Sequence, residues 1–184
     1  MASSKSSLKR FSRKKIFQGY CFDVVRDDVI WPNQKRINRD LILHPGISVI
    51  LPVLDSKHLI LIRQYRYGAG KSLWEIPAGT IDGKETPLAC AKREIEEEIG
   101  YRAGKWKKIT ECFASPGFNT ERIHCFMASG LKKTQACLEE DEILEMKVFS
   151  CREVERMIRK KQICDAKSLV PLLYFFLERK NNDR

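Results

Sequence analysis

The chain has 184 residues, 43% hydrophobic and 32% charged, which suits one soluble globular domain, or one domain plus a small appendage. No apolar run approaches the roughly 18 residues of a membrane-spanning helix. The seven cysteines are an odd number, and no two lie closer than twelve positions, which argues against both a zinc site and a disulfide scaffold. Reduced thiols in a cytoplasmic compartment are the expectation.

The formal net charge of +10 is unevenly placed: Lys5, Lys9, Arg10, Arg13, Lys14 and Lys15 fall within residues 1–15, where no acidic residue occurs. This composition predicts a disordered basic tail over 1–15. It also describes a mitochondrial transit peptide, but nothing marks a cleavage site, so a plain tail is preferred. A nucleic-acid-binding arm is a third reading, and the segment lacks the interleaved aromatics of a single-strand groove.

Short strands are predicted next: Phe17 to Val25, Asp27 to Ile30 and, after a turn at Pro32-Asn33-Gln34, Arg36 to Leu43. His44-Pro45-Gly46 breaks the pattern. The apolar, β-branched run Ile47 to Leu54 reads as a buried strand, followed by a turn at Asp55-Ser56-Lys57 and a strand from His58 to Tyr65. Leu73 to Ile76 is a short strand. Pro87 suits a first helical turn, residues 87–99 favour helix, and Gly100 is a stop. Strands follow at Lys107 to Phe113, Ile123 to Ala128 and Glu145 to Phe149. Helices are predicted over Arg152 to Lys161 and Ser168 to Arg179. Strands before and between helices, without βαβα alternation, indicate an α+β fold. His44, His58 and His124 are read as structural.

The segment 79–101, GTIDGKETPLACAKREIEEEIGY, carries the most chemistry. On its helix Glu94, Glu97 and Glu98 stand at i, i+3 and i+4 and share one face, while Leu88, Ala91, Ile95 and Ile99 trace an apolar stripe. Three carboxylates on one face repel one another unless cations sit between them. Hard divalent cations such as Mg²⁺ take oxygen ligands and bridge to substrate phosphates.

Gly79, Glu85, Arg93, Glu94, Glu97, Glu98 and Gly100 fill the fixed positions of G-x5-E-x7-R-E-U-x-E-E-x-G-U, where U is apolar. This resembles the Nudix box of hydrolases that cut nucleoside diphosphates linked to another group. Three further segments resemble the ADP-ribose pyrophosphatase branch. They are Arg63-Gln64-Tyr65-Arg66 followed by Trp74-Glu75-Ile76-Pro77-Ala78-Gly79, then Ser115-Pro116-Gly117, and the acidic stretch Leu138 to Glu145 followed by Asp165-Ala166-Lys167.

The resemblance implies a Nudix fold, a mixed β-sheet between α-helices, over residues 44–180. It also implies a small antiparallel β region over residues 16–43 that pairs two subunits. It implies that the Ala78 carbonyl, Glu94, Glu97 and Glu98 hold Mg²⁺ (or Mn²⁺ in substitution), with Glu97 close to the chemistry, and that Glu85 and Arg93 form a structural ion pair. Arg66 would meet a phosphate or the terminal ribose, a task suited to a planar guanidinium. Glu142, with Glu139 as second candidate, would act on the attacking water. An aromatic of the N-terminal region, Tyr20, Phe22 or Trp31, would stack on the adenine of a partner's substrate, and Pro116 marks the branch's substrate preference. The implied activity is Mg²⁺-dependent cleavage of ADP-ribose to AMP and ribose 5-phosphate. The alternatives are another nucleoside diphosphate sugar or dinucleotide and, from a different class, a Nudix-fold binding module without catalysis.

Overall fold

In the computed structural model, which describes residues 8–134 and 144–182, residues 9–15 of the basic N-terminal segment lie in a strand. β1 (Lys9–Gln18) pairs antiparallel with β2 (Asp23–Ile30), and β2 pairs antiparallel with β3 (Arg36–Leu43). This corrects the expectation of a disordered tail over 1–15 for residues 9–15; residues 1–7 of that expectation lie outside the described residues. The reason is charge complementarity across the ladder. Arg13 grips Asp27 with Nε and Nη2 at 2.6 and 2.7 Å, Lys15 meets Asp23 at 2.8 Å, and Ser12 Oγ donates to Asp28 at 2.6 Å. The predicted strand from Phe17 to Val25 is interrupted by a turn in which Gly19 N donates to the Phe22 carbonyl at 2.9 Å. A side chain at Gly19 would meet that same carbonyl, which explains glycine there.

These strands belong to one compact unit, Met1–Gly46 with Phe113–Arg122. Within it, the loop carrying Ser115-Pro116-Gly117 is tied to β3: Ile42 N donates to the Phe118 carbonyl at 2.7 Å, and Thr120 N donates to the Ile42 carbonyl at 3.0 Å.

The second unit, Ile47–Cys112 with Ile123–Arg184, is the layered one. It contains β4 (Ile47–Pro52), β5 (His58–Arg66), β6 (Lys71–Glu75), β7 (Ala78–Thr80), α1 (Pro87–Ile99) and β10 (Leu144–Ser150), with α2 (Cys151–Arg159) and α3 (Ala166–Asn182). β8 (Tyr101–Phe113) and β9 (Arg122–Lys133) lie in it except for one terminal residue each. One sheet has the order β7-β4-β9-β8 and is mixed, since β4 runs parallel to β9 and antiparallel to β7. The other, β10-β5-β6, is antiparallel.

Strand alternation then assigns the faces. On β4 and β5, Val49, Leu51, Leu59 and Leu61 join Val154, Met157 and Leu172 of α2 and α3 in one core. Ile50, Ile60 and Ile62 join Ala91, Ile95 and Ile99 of α1 in the other. Sheets between helices are the α+β, Nudix-type arrangement expected from the sequence. No helix among the described residues is long and apolar enough to cross a membrane.

Candidate active site

α1 is defined at both ends by its own residues. Thr86 caps it by accepting from Ala89 N at 3.2 Å, Pro87 occupies the first turn, and Gly100 closes it in the left-handed conformation at φ 66°. Its apolar stripe enters the core as expected, but its acidic face is only partly solvated. Glu94 and Glu98 are buried, at 8% and 4% exposure, while the Glu97 side chain stays about one-third exposed at 36%.

Burial of two carboxylates needs compensation. Arg93 supplies much of it, and more widely than the single expected pair with Glu85. Its Nε and Nη2 bond Glu85, each at 3.2 Å, Nη1 bonds Glu94 Oε1 at 2.7 Å and Glu97 Oε2 at 2.9 Å, and Nη2 reaches the Thr80 carbonyl at 3.2 Å. The Arg93 hydrogen bond holds the Glu85 carboxyl below the usual range. Cys90, buried under the same turn, has its thiol pushed up to about 11 by burial, so it stays protonated and donates to the Gly79 and Thr80 carbonyls.

β7 brings the start of the motif onto this helix. Ala78 N donates to Glu98 Oε2 at 3.0 Å. A Cβ on Gly79 would fall inside the Glu94 carboxylate, so glycine at this position makes room for a glutamate fifteen residues later.

Arg66, at the end of β5, stands on the same side. Its Nε and Nη2 bond the buried Glu75 of β6 at 3.1 and 2.7 Å. Burial works against the Arg66 charge, yet the bonds to Glu75 and the field of Glu98 hold its pKa above the ordinary value, so it is a permanent cation next to the acidic face. Glu75 also accepts from Lys167 Nζ at 2.5 Å, and Lys167 in turn reaches Asp165 at 2.8 Å.

The structure therefore brings together Ala78, Glu94, Glu97, Glu98 and Arg66. Tyr20, Phe22 and Pro116 belong to the N-terminal unit, where Tyr20 is wholly exposed. Trp31 in that unit lies under the Arg39 guanidinium, 5.0 Å from the ring centre. Glu139 and Glu142 lie outside the described residues.

Sequence reasoning gave no role to Glu75, Lys167 or Ser168. A lone acid inside the apolar stretch Leu73-Trp74-Glu75-Ile76 and the capping residues ahead of α3 were the available signals.

The donor chemistry fits a hard divalent cation. Among the described residues, and leaving aside the exposed Asp82, the network gathers six carboxylates (Glu75, Glu85, Glu94, Glu97, Glu98, Asp165) and three cations (Arg66, Arg93, Lys167). Among the described residues, no group of three or more His, Cys, Asp or Glu side chains is arranged as a ready-made cage. Mg²⁺ seldom needs one, because it retains waters and takes one or two carboxylates together with substrate phosphates.

Comparison with known proteins places the chain in a family. Residues 43–170 match the family described as NUDIX domain. The ADP-ribose pyrophosphatase of Bacillus subtilis (strain 168) is 34% identical over 92% of this chain and 93% of its own. The methanol dehydrogenase activator of Bacillus methanolicus is 33% identical with the same coverage of each chain. The GDP-mannose pyrophosphatase of Citrobacter koseri (strain ATCC BAA-895 / CDC 4225-83 / SGSC4696) is 32% identical over 76% of this chain and 81% of its own. The crystal structure of an ADP compounds hydrolase superposes with a TM-score of 0.85, covering 98% of both chains at 20% identity, which bears on the fold alone. With its box, its layered fold and these relatives, the chain belongs to the Nudix family of pyrophosphohydrolases.

Proposed function

We propose that this chain hydrolyses the pyrophosphate of ADP-ribose with Mg²⁺, releasing AMP and ribose 5-phosphate. The observation that carries the reading is the acidic face of α1, where Arg93 gathers Glu94 and Glu97 and Ala78 N holds Glu98, with the Arg66 charge lying in the field of Glu98. A phosphate held by Arg66 is thereby presented to the carboxylates that would hold the metal: Glu94, Glu97 and Glu98, with the Ala78 carbonyl. Once bound, Mg²⁺ supplies positive charge against the pyrophosphate and acidifies a water. Arg66 orients one phosphate, while Arg93 fixes Glu94 and Glu97 in place. Glu142, or Glu139 in its place, takes the proton of the attacking water.

Similarity to the Bacillus subtilis enzyme over nearly the whole chain supports ADP-ribose as substrate. Similarity to a GDP-mannose pyrophosphatase supports the second reading, another nucleoside diphosphate sugar.

The same proposal extends to a homodimer formed through the N-terminal β region, with Tyr20 or Phe22 covering the partner's adenine. Its support is the exposure of Leu8, Phe11, Ile16, Phe17, Tyr20 and Phe22 in that unit, more apolar surface than a solvated ladder needs. The six described cysteines are free thiols, which supports a cytoplasmic setting.

A substrate panel tests the activity. ADP-ribose should be cleaved fastest, with AMP and ribose 5-phosphate as products and no turnover after chelation of divalent metal. Faster cleavage of GDP-mannose would move the conclusion to the second reading.

A further inference from the structure

The first turn of α3 holds two segments of the site at once, through side chains that the reaction as proposed does not use. Asp165 precedes the helix, and its Oδ2 accepts three bonds: from Ser168 N at 3.1 Å, Ser168 Oγ at 2.6 Å and Lys167 Nζ at 2.8 Å. Both side chains so fixed reach across to β6 and the residues that follow it. Lys167 Nζ donates to Glu75 Oε2 at 2.5 Å, and Ser168 Oγ accepts from Ile76 N at 3.0 Å. Glu75 is 1% exposed and Ser168 fully buried, so neither bond competes with bulk water.

Each contact leads to a different part of the site. Glu75 is shared between Lys167 and Arg66. Because Nε and Nη2 of Arg66 are spent on Glu75, Nη1 is the guanidinium nitrogen with no hydrogen-bond partner among the described residues. Rotation of Glu75 would redirect that nitrogen. Ile76 opens the segment Ile76-Pro77-Ala78, and each of these residues is pinned by a different element. Ile76 N is held by α3, the Pro77 carbonyl accepts from Ile50 N of β4 at 2.8 Å, and Ala78 N bonds Glu98 of α1.

Stability alone does not explain four charged groups gathered here. A buried ion network is often no more stabilising than apolar residues of the same shape, whereas it does fix the direction of each group. Fixed direction matters at a reacting centre, where a misplacement of about 1 Å can cost a hundredfold in rate.

We propose that Lys167 and Ser168 are positioning residues for the pyrophosphate site: Lys167 sets Arg66 through Glu75, and Ser168 sets the Ala78 carbonyl through Ile76. The inference rests on the reading that Arg66 meets a substrate phosphate and Ala78 a metal.

The test uses the full chain with Lys167→Met, Ser168→Ala, Glu75→Gln and the double variant Glu75→Gln/Lys167→Met. Lys167→Met should raise KM about tenfold, the scale of one charge-assisted hydrogen bond, with kcat within about threefold of wild type. In the Glu75→Gln background the same substitution should add nothing, because its route to Arg66 is already broken. Ser168→Ala should leave KM unchanged and weaken Mn²⁺ binding several-fold, read by calorimetry without substrate.

An unchanged KM in Lys167→Met, a full effect persisting beside Glu75→Gln, or wild-type Mn²⁺ affinity in Ser168→Ala overturns the proposal. Should Lys167→Met not fold, Lys167→Gln is read in its place with the same expectation; unfolding of both assigns Lys167 to stability and also overturns it. If the wild type does not cleave ADP-ribose, it is the substrate reading that fails. The KM comparison is then made on the nucleoside diphosphate sugar that the wild type does cleave.

Discussion

Arginine–carboxylate pairs build both units of this protein, and two of them, one from each unit, differ sharply in their surroundings. In the N-terminal unit Arg26 meets Asp40 with two bonds, at 2.6 and 2.9 Å, yet both side chains are at least half exposed. In the layered unit Arg66 makes bonds of similar length to Glu75, whose side chain is 1% exposed. Good geometry at the surface contributes little, because water already solvates both partners and holding long side chains still costs entropy. The same geometry inside the site helps to keep a buried charge tolerable, and breaking it leaves Glu75 to Lys167 alone among its described partners. Equivalent distances thus predict unequal consequences.

On the proposed reading, Glu94→Gln removes an oxygen donor to the metal. We expect kcat to fall by roughly a thousandfold or more, the weight of a metal's charge stabilisation converted to rate, in a steady-state assay at saturating Mg²⁺. Gly79→Ala should come next. Its Cβ displaces the Glu94 carboxylate, so activity should drop about a hundredfold, with a lowered melting temperature because Glu94 is also buried.

Arg93→Met leaves Glu85, Glu94 and Glu97 without their shared partner. The expected loss is about 2–3 kcal/mol in chemical denaturation, below the range for a fully buried pair because the Arg93 side chain is 30% exposed.

The pH dependence is smaller. The Arg93 bond depresses the Glu85 pKa, so that pair contributes stability above the unfolded value near 4.5 and loses it as pH falls through the folded value. Melting temperature should therefore decline as acid is added below about pH 4.5, and Glu85→Gln should flatten that decline. At the other extreme, Asp40→Asn should leave the melting temperature within experimental scatter, since its pair with Arg26 is open to solvent. A large loss there would contradict the contrast between the two pairs.

What the sequence disclosed about this site was local. α1 runs from Pro87 to Ile99 and β3 from Arg36 to Leu43, as the residues predict, because cap, turn and periodicity signals lie within each segment. The shared direction of Glu94, Glu97 and Glu98 follows from helical spacing alone. The distant relations were not legible. Lys167 meets Glu75 across 92 positions, and no periodicity encodes that. β1 looks like a tail because its counter-charges, Asp23, Asp27 and Asp28, lie on another strand. β7 is three residues long and too short to carry a pattern of its own. The burial of Glu94 and Glu98 was hidden for a similar reason, since their compensation depends on Arg93 and on β7 folding back over the helix.

The most direct test of the central claim is release of AMP from ADP-ribose by wild type and Glu98→Gln, each with Mg²⁺ and with chelator. AMP should form from the wild type with Mg²⁺ and not with chelator, and Glu98→Gln should release it at least about a hundredfold more slowly. Equal release by the two proteins, or wild-type release that persists under chelation, would contradict that claim.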